Sequence, residues 1–182
     1  MAELSTSRLF LRPPREEDFP GWVEFCADPH TMEHLGGVQH EADAWRMFTG
    51  HVGIWSLGSP CMFSVIEKSS GEWVGRVGPW CPHLWPVQEV GWGILRRFEG
   101  KGYALEAAVA SIDYVFSTLG WPTVSHLIAE ENTRSQLLAQ RLGATPRGES
   151  RMPGILERWQ VTEWRQEKES WLKNREQFAD LV

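Results

Sequence analysis

The chain has 182 residues, 42% of them hydrophobic and 23% charged, with a formal net charge of -6 at pH 7. That is one domain's length with enough apolar content for a sizeable core. The acidic balance argues against a nucleic-acid binder, and no window reaches the ~18 apolar residues of a membrane span. An acidic surface suits a cationic acceptor such as an amine, though such charge commonly serves solubility. The opening MAELSTSRLFLR lacks a signal-peptide core, so the expected location is cytoplasmic. Cys26, Cys61 and Cys81 are odd in number and show no C-x-x-C spacing, which suggests neither a disulfide framework nor a metal site. Eleven tryptophans, among them Trp55, Trp80, Trp85 and Trp121 near loops, fit core and rim packing or an aromatic acceptor pocket.

In chain order, SRLFLRP (7–13) alternates Leu9 and Leu11 with Arg8 and Arg12, a half-buried strand stopped by Pro13 and Pro14. Residues 15–28 read as a helix with an acidic first turn, its start weakened or broken by Pro20 and Gly21. Residues 40–58 place Ala44, Met47, Phe48, His51 and Trp55 near helical spacing, ended by Gly58. The period then becomes two. Strands at 61–68 and 73–80, joined at SSGE, predict an antiparallel hairpin. The proline-containing 81–86 is a loop, and 87–95 is a further strand whose internal Gly91 and Gly93 imply a bulge or a close backbone approach.

From Gly102 onward, Leu105, Ala108, Val109, Ile112 and Phe116 form a helical apolar stripe closed by Gly120 and Pro122. Residues 123–130 are a buried strand, and 132–144 a short helix with Asn132 as N-cap and Gly143 just past its end. A strand at 155–164 and a charged, amphipathic terminal helix complete a mixed α/β domain of order β-α-α-β-β-β-α-β-α-β. No repeat or linker divides it.

The stretch LRRFEGKGYALEAA (95–108) puts two glycines and a lysine at a helix start. It is not a nucleoside-triphosphate loop, because Gly102 and not a hydroxyl residue follows Lys101. It is not a dinucleotide fingerprint either, because Leu105 stands where the third glycine would be. An anion nest at the helix N-terminus and a plain helix start with solvated basic residues both remain.

The motif RFEGKG after the strand EVGWGIL, together with the strand-helix LIAEENTRSQLLAQRLGA, resembles the GNAT superfamily of acetyl-coenzyme A-dependent N-acetyltransferases. The resemblance covers residues 7–165, with 166–182 as a terminal helix packed on or extending the same domain. The opening LSTSRLFLRPPREEDFPGW is similar to the ribosomal-protein N-terminal acetyltransferase subgroup, whose members act on varied amines. The resemblance implies a GNAT-like α/β fold, with a mixed, mostly antiparallel sheet splayed between its fourth and fifth strands (87–95 and 123–130) and flanked by helices. It implies acetyl-CoA as cosubstrate and no metal. Backbone groups of Gly91, Trp92, Gly93, Ile94 and Leu95 would bind the pantetheine arm. Arg96, Arg97, Gly100, Lys101, Gly102, Tyr103 and Ala104 would hold the pyrophosphate, with Asn132 and Ser135 beside the thioester.

An alkylamine of pKa about 10.4 must lose a proton before it attacks, so a base is required. Glu89, two residues before Gly91, is the first candidate, where several family members carry a catalytic glutamate; Glu130, Glu131 and His83 are others. The tyrosine that many members carry seven residues after the asparagine is Ala139 here, so Ser135 is the candidate acid. The expected reaction is direct acetyl transfer to a primary amine, a peptide N-terminus or a small molecule. The alternative is a non-catalytic acyl-CoA-binding or regulatory module. Nucleic acid and membrane are not expected partners, and the tryptophans leave room for a homodimer.

Overall fold

The computed structural model describes residues 2–154, 157 and 159–182. Among them eight strands form one sheet: β1 (Leu4–Ser5), β2 (Leu9–Arg12), β3 (Phe63–Glu67), β4 (Trp73–Trp80), β5 (Glu89–Ile94), β6 (Thr123–Ala129), β7 (Thr145–Arg151) and β8 (Gln160–Glu167). Their spatial order is β1-β2-β3-β4-β5-β6-β8-β7. Neighbours are antiparallel except β5 and β6, which are parallel because α4 (Tyr103–Ser117) crosses between them. The remaining helices are α1 (Phe19–Ala27), α2 (Pro29–Met32), α3 (Glu41–Ser56), α5 (Thr133–Arg141) and α6 (Lys168–Asn174).

β4 is buried at nearly every position, so both of its faces are covered. α1 and α3 lie over the face that carries Trp73 and Arg76, and α4 crosses β2, β4 and β5 on the other. Trp73 and Arg76 share a face although they are three positions apart, an offset that simple alternation puts on opposite faces. The ladder accounts for it: Val65 and Ile66 of β3 pair with Gly75 and Trp73, so Val74 is an extra residue on β4 that reverses the alternation.

α1 begins later than the sequence predicts. Glu16–Asp18 form a 3-10 turn, and the Asp18 carboxylate accepts from Arg15 N at 2.8 Å and from both terminal nitrogens of Arg12 at 2.8 Å. Pro20 then sits in the first turn, where its missing N–H is no loss, and it does not break the helix. The strand expected at 155–164 runs over Gln160–Glu167; residues 155, 156 and 158 lie outside the described residues. Residues 165–167 therefore belong to β8, and the terminal helix is α6 followed by a 3-10 turn at Arg175–Phe178. Trp171 anchors this tail, stacked on Phe178 with its Nε1–H donated to Asp113 on α4 at 2.8 Å. β1, α2 and β7 were not expected.

Candidate active site

The site grows from the one place where β5 and β6 part. Their single ladder pair among the described residues is Glu89 with Ser125, supported by Ser125 N–H donating to Gln88 O at 2.9 Å. Past that pair the strands diverge. Leu95 N–H donates to Val74 O on β4, so alternation turns the N–H groups of Trp92 and Ile94 toward the gap. The Val90 carbonyl faces it too, where His126 Nδ1 donates to it at 2.7 Å. Burial depresses the His126 pKa to about 4, so the ring is neutral and closes the bottom of the gap as a hydrogen-bonded plug. Trp92 lies against it with 4.7 Å between ring centroids.

Glu89 stands at the apex. It is 8% exposed, and burial raises its pKa to about 7, against the opposing pull of two hydrogen bonds and the Arg76 charge. Those bonds come from Leu127 N–H to Oε1 (3.3 Å) and from the Trp85 indole N–H to Oε2 (2.7 Å). The side chain is thus aimed by a backbone group from β6 and by the proline-rich loop. A carboxylate near pH 7 with fixed orientation is what a general base requires. His83, Glu130 and Glu131, the other candidates, are all exposed.

Across the gap, Asn132 caps α5, its Oδ1 accepting from Ser135 N–H at 3.1 Å. The Asn132 side chain therefore serves the helix. Ser135 Oγ accepts from Trp92 Nε1 at 3.2 Å, which leaves the hydroxyl hydrogen available for donation. Ala139 is fully buried in a small cluster with Ile128, Ala144 and Trp164, so core fills the tyrosine position.

The glycines of β5 are not explained by a bulge, since the β4–β5 ladder is regular. Side chains approach instead. A methyl group at Gly91 would sit 2.5 Å from Met62 Cε, and one at Gly93 2.6 Å from Phe25 Cζ.

At the head of α4, Gly100 (φ +74°) and Gly102 (φ +82°) both adopt left-handed backbone. Glu106 N–H makes the first intrahelical bond, to Gly102 O at 3.1 Å, leaving those of Tyr103, Ala104 and Leu105 without helical partners. Lys101 and Arg96 are exposed, the Lys101 ammonium lying 4.7 Å from the Phe98 ring centroid. Arg97 is committed elsewhere, to Glu24 at 3.0 Å and Glu72 at 2.9 Å, and the Tyr103 hydroxyl donates to Glu67. The structure thus gathers backbone donors and two exposed cationic side chains here, while the side chains of Arg97 and Tyr103 bond Glu24, Glu72 and Glu67. Beneath the turn, fully buried Glu106 accepts from Thr6 Oγ1 (2.6 Å), Arg8 N (2.7 Å) and Arg8 Nε (2.7 Å), and Arg8 Nη1 donates to Lys101 O at 2.9 Å.

A second opening of about 400 Å³ lies where β6 ends, lined by Glu33, His34, Ala129, Glu130, Glu131, Trp159 and Gln160. The sequence marks Trp85 only as one of the loop tryptophans, not as a partner of Glu89, and it does not single out His126 or Arg76. A histidine inside the apolar run TVSHLIAE was the one available signal for His126.

Residues 8–145 match the family model described as "Acetyltransferase (GNAT) domain". The chain is 29% identical over 154 residues to a Bacillus licheniformis protein named as the uncharacterized N-acetyltransferase p20, covering 81% of this chain and 85% of that one. The crystal structure of the acetyltransferase from Agrobacterium tumefaciens str. C58 superposes with a TM-score of 0.81 at 30% identity, over 92% and 95% of the two chains. The ribosomal-protein-S5-alanine acetyltransferase of Vibrio fischeri shares the fold, with a TM-score of 0.72 at 15% identity over 94% and 99%. A splayed sheet, a nest at the head of α4 and these matches agree that the chain belongs to the GNAT acetyltransferase family and is an acyltransferase.

Proposed function

We propose that the protein transfers the acetyl group of acetyl-CoA to a primary amine, with Glu89 as the base. The observation that carries this reading is the oriented, buried carboxylate at the point where β5 and β6 separate, held near pH 7. Acetyl-CoA, the cosubstrate of the family, supplies a thioester carbonyl; the chain's own groups fit around such a molecule. The left-handed turn at Gly100–Gly102 and the free N–H groups of α4 suit the pyrophosphate, with Lys101 and Arg96 adding charge. The N–H groups of Trp92 and Ile94 face the gap that would take the pantetheine arm and can polarise the acetyl carbonyl.

In this reading Glu89 takes a proton from the ammonium and the freed amine attacks the thioester carbonyl. The C–N bond forms, the C–S bond breaks, and Ser135 Oγ–H donates toward the departing sulfur. The second proton that the nitrogen sheds as the amide forms restores the Ser135 hydroxyl, and Glu89 releases its proton to solvent. The donor role follows from its hydrogen bond with Trp92, which occupies a lone pair and leaves the hydroxyl hydrogen free.

Release of coenzyme A thiol across a panel of amines and N-terminal peptides tests the reading. Activity should rise with pH through a limb near 7, the protonation range of Glu89. Glu89→Gln should remove that limb and lower kcat about 10²- to 10⁴-fold, the usual worth of a positioned base. Ser135→Ala should lower kcat without weakening coenzyme A binding. If Glu89→Gln with Ser135→Ala leaves transfer unchanged, these roles are wrong.

A further inference from the structure

The strongest unexplained feature of the site face is a buried positive charge with no ion-pair partner among the described residues. Arg76 lies on β4, opposite Ser64 on β3 and Gly93 on β5, and is 8% exposed. Its guanidinium sits 5.4 Å from the ring centroids of both Trp22 and Phe25. Nη1 meets His51 Nε2 at 3.3 Å and Met62 Sδ at 3.2 Å. His51 Nδ1 donates to Met47 O at 2.9 Å, so the nitrogen facing Arg76 is a bare acceptor on a neutral ring. Burial and the Arg76 charge, in that order, push the His51 pKa down to about 3, which agrees.

No carboxylate ion-pairs with Arg76 among the described residues, and guanidinium does not give up its proton in proteins. The Nε–H is buried without a partner, and no hydrogen bond is made by Nη2 among the described residues. These two nitrogens form one edge of the guanidinium, the edge that matches both oxygens of a carboxylate. A buried charge without an ion pair is costly, and the Trp22 and Phe25 rings and the more distant Glu89 carboxylate offset this one without satisfying its Nε–H.

The place of that edge suggests its ligand. The register Trp80↔Glu89, Gly78↔Gly91 and Arg76↔Gly93 puts Glu89 and Arg76 on one face of adjacent strands. Gly91 lies between them and carries no side chain; the Met62 thioether, unbranched and readily moved, fills its space. Trp80 stacks on His51 at 4.8 Å, and Trp85 meets Trp80 edge-on at 5.9 Å while bonding Glu89. A proton acceptor and an open cation thus share an aromatic-walled face, separated by glycine and a flexible methionine.

We propose that Arg76 is an anion subsite for the acceptor: its open Nε/Nη2 edge binds the carboxylate of an amine substrate that carries one. The acceptor class is then amino acids and related amino-carboxylates. The proposal rests on the reading of this face as the acceptor's side of Glu89.

Matched acceptors, each a free amino acid and its amide, with β- and γ-amino acids to vary the spacing, are compared by thiol release. The wild type should favour the acid, and Arg76→Lys and Arg76→Gln should lower kcat/KM for the acid roughly 10- to 100-fold more than for the amide, the worth of charged hydrogen bonds. A binding measurement that needs no turnover follows the Arg76 Nε–H resonance of the wild type during titration with acetate, with acetamide as control. A saturable shift with acetate alone is expected. Transfer without acid preference overturns the acceptor assignment, and absence of the shift overturns the subsite. A shift in a protein that acetylates no amine overturns acetyl transfer while leaving the subsite standing.

Discussion

Glu89 exposes a conflict between stability and chemistry that one substitution resolves. Its carboxyl has an ordinary value of 4.5 and a folded value of about 7, so the native state holds its proton more tightly than the unfolded chain. The stabilising effect is complete below pH 4.5 and is lost as pH rises through 7. At about 1.4 kcal/mol for each pH unit between the unfolded and folded values, the ionised side chain costs up to about 3 kcal/mol at pH 8. Glu89→Gln retains the shape without the charge, so it should unfold at higher denaturant at pH 8, by on the order of 1–3 kcal/mol, and match the wild type near pH 4. A carboxylate that is expensive to ionise is what the proposed base role predicts, since functional sites concede stability for reactivity. If Glu89→Gln is less stable than the wild type at pH 8, the carboxylate is a structural partner.

At the scale of elements, α4 is held from both ends of the chain. Glu106, one turn into the helix, clips the β1–β2 turn through Thr6 and Arg8, while Ser7 N–H donates to Leu181 O at 3.0 Å. Glu106→Ala strips Thr6 Oγ1, Arg8 N and the Arg8 guanidinium of their acceptor. Because the guanidinium can reach solvent, a loss of roughly 2–4 kcal/mol, from the two backbone-side donors left unpaired, is expected from the denaturant midpoint. Lys101→Glu, on the exposed side of the same turn, should leave stability within about 0.5 kcal/mol but weaken coenzyme A and flatten the salt dependence of its binding. Unchanged affinity would remove the phosphate role from this turn. The two ends of this architecture differ in how far the sequence exposes them. α4 carries a long apolar periodicity and α5 an Asn132 cap, and Gly120 and Gly143 close them, so local chemistry marks both. β7 does not: TPRGESR has no apolar alternation and is mostly exposed, and backbone pairing to β8 alone makes it a strand. α2 is too short at four residues to show a period. In the site, the RFEGKG turn and Glu89 are visible as residue types at set intervals. The indole that orients Glu89 comes from four residues away in a proline-rich loop that has no period. The His126 plug and the unpaired Arg76 arise from contacts between segments far apart in sequence, which periodicity does not encode.

For the whole molecule, three buried groups set the course of stability with pH, and their signs differ. His51 and His126 have folded values of about 3 and about 4 against an ordinary 6.5, so both add stability above pH 6.5 and lose it as pH falls. Glu89 acts in the other direction, regaining stability between pH 7 and 4.5. Between pH 6 and 5 the unfolded chain therefore binds two protons at the histidines that the native state lacks, while the native state holds one that the unfolded chain has released. The net difference of about one proton corresponds to a fall of about 1.4 kcal/mol per pH unit on acidification. Once the pH is well above 7 none of the three titrates in either state, and the contribution is level. Denaturant unfolding in steps from pH 9 to 5 should show that plateau and slope. Glu89→Gln removes the compensating proton, so its slope between pH 6 and 5 should double to about 2.7 kcal/mol per pH unit, which separates this account from a general effect of surface charge. Replacing His126 by a non-titrating residue in the wild-type background should flatten the same region. A Glu89→Gln profile that is level from pH 9 to 5 would mean that the histidines are charged in the fold, and a wild type level as well would mean that Glu89 is not raised either. The plug at the gap and the neutral partner of Arg76 would then both have to be abandoned.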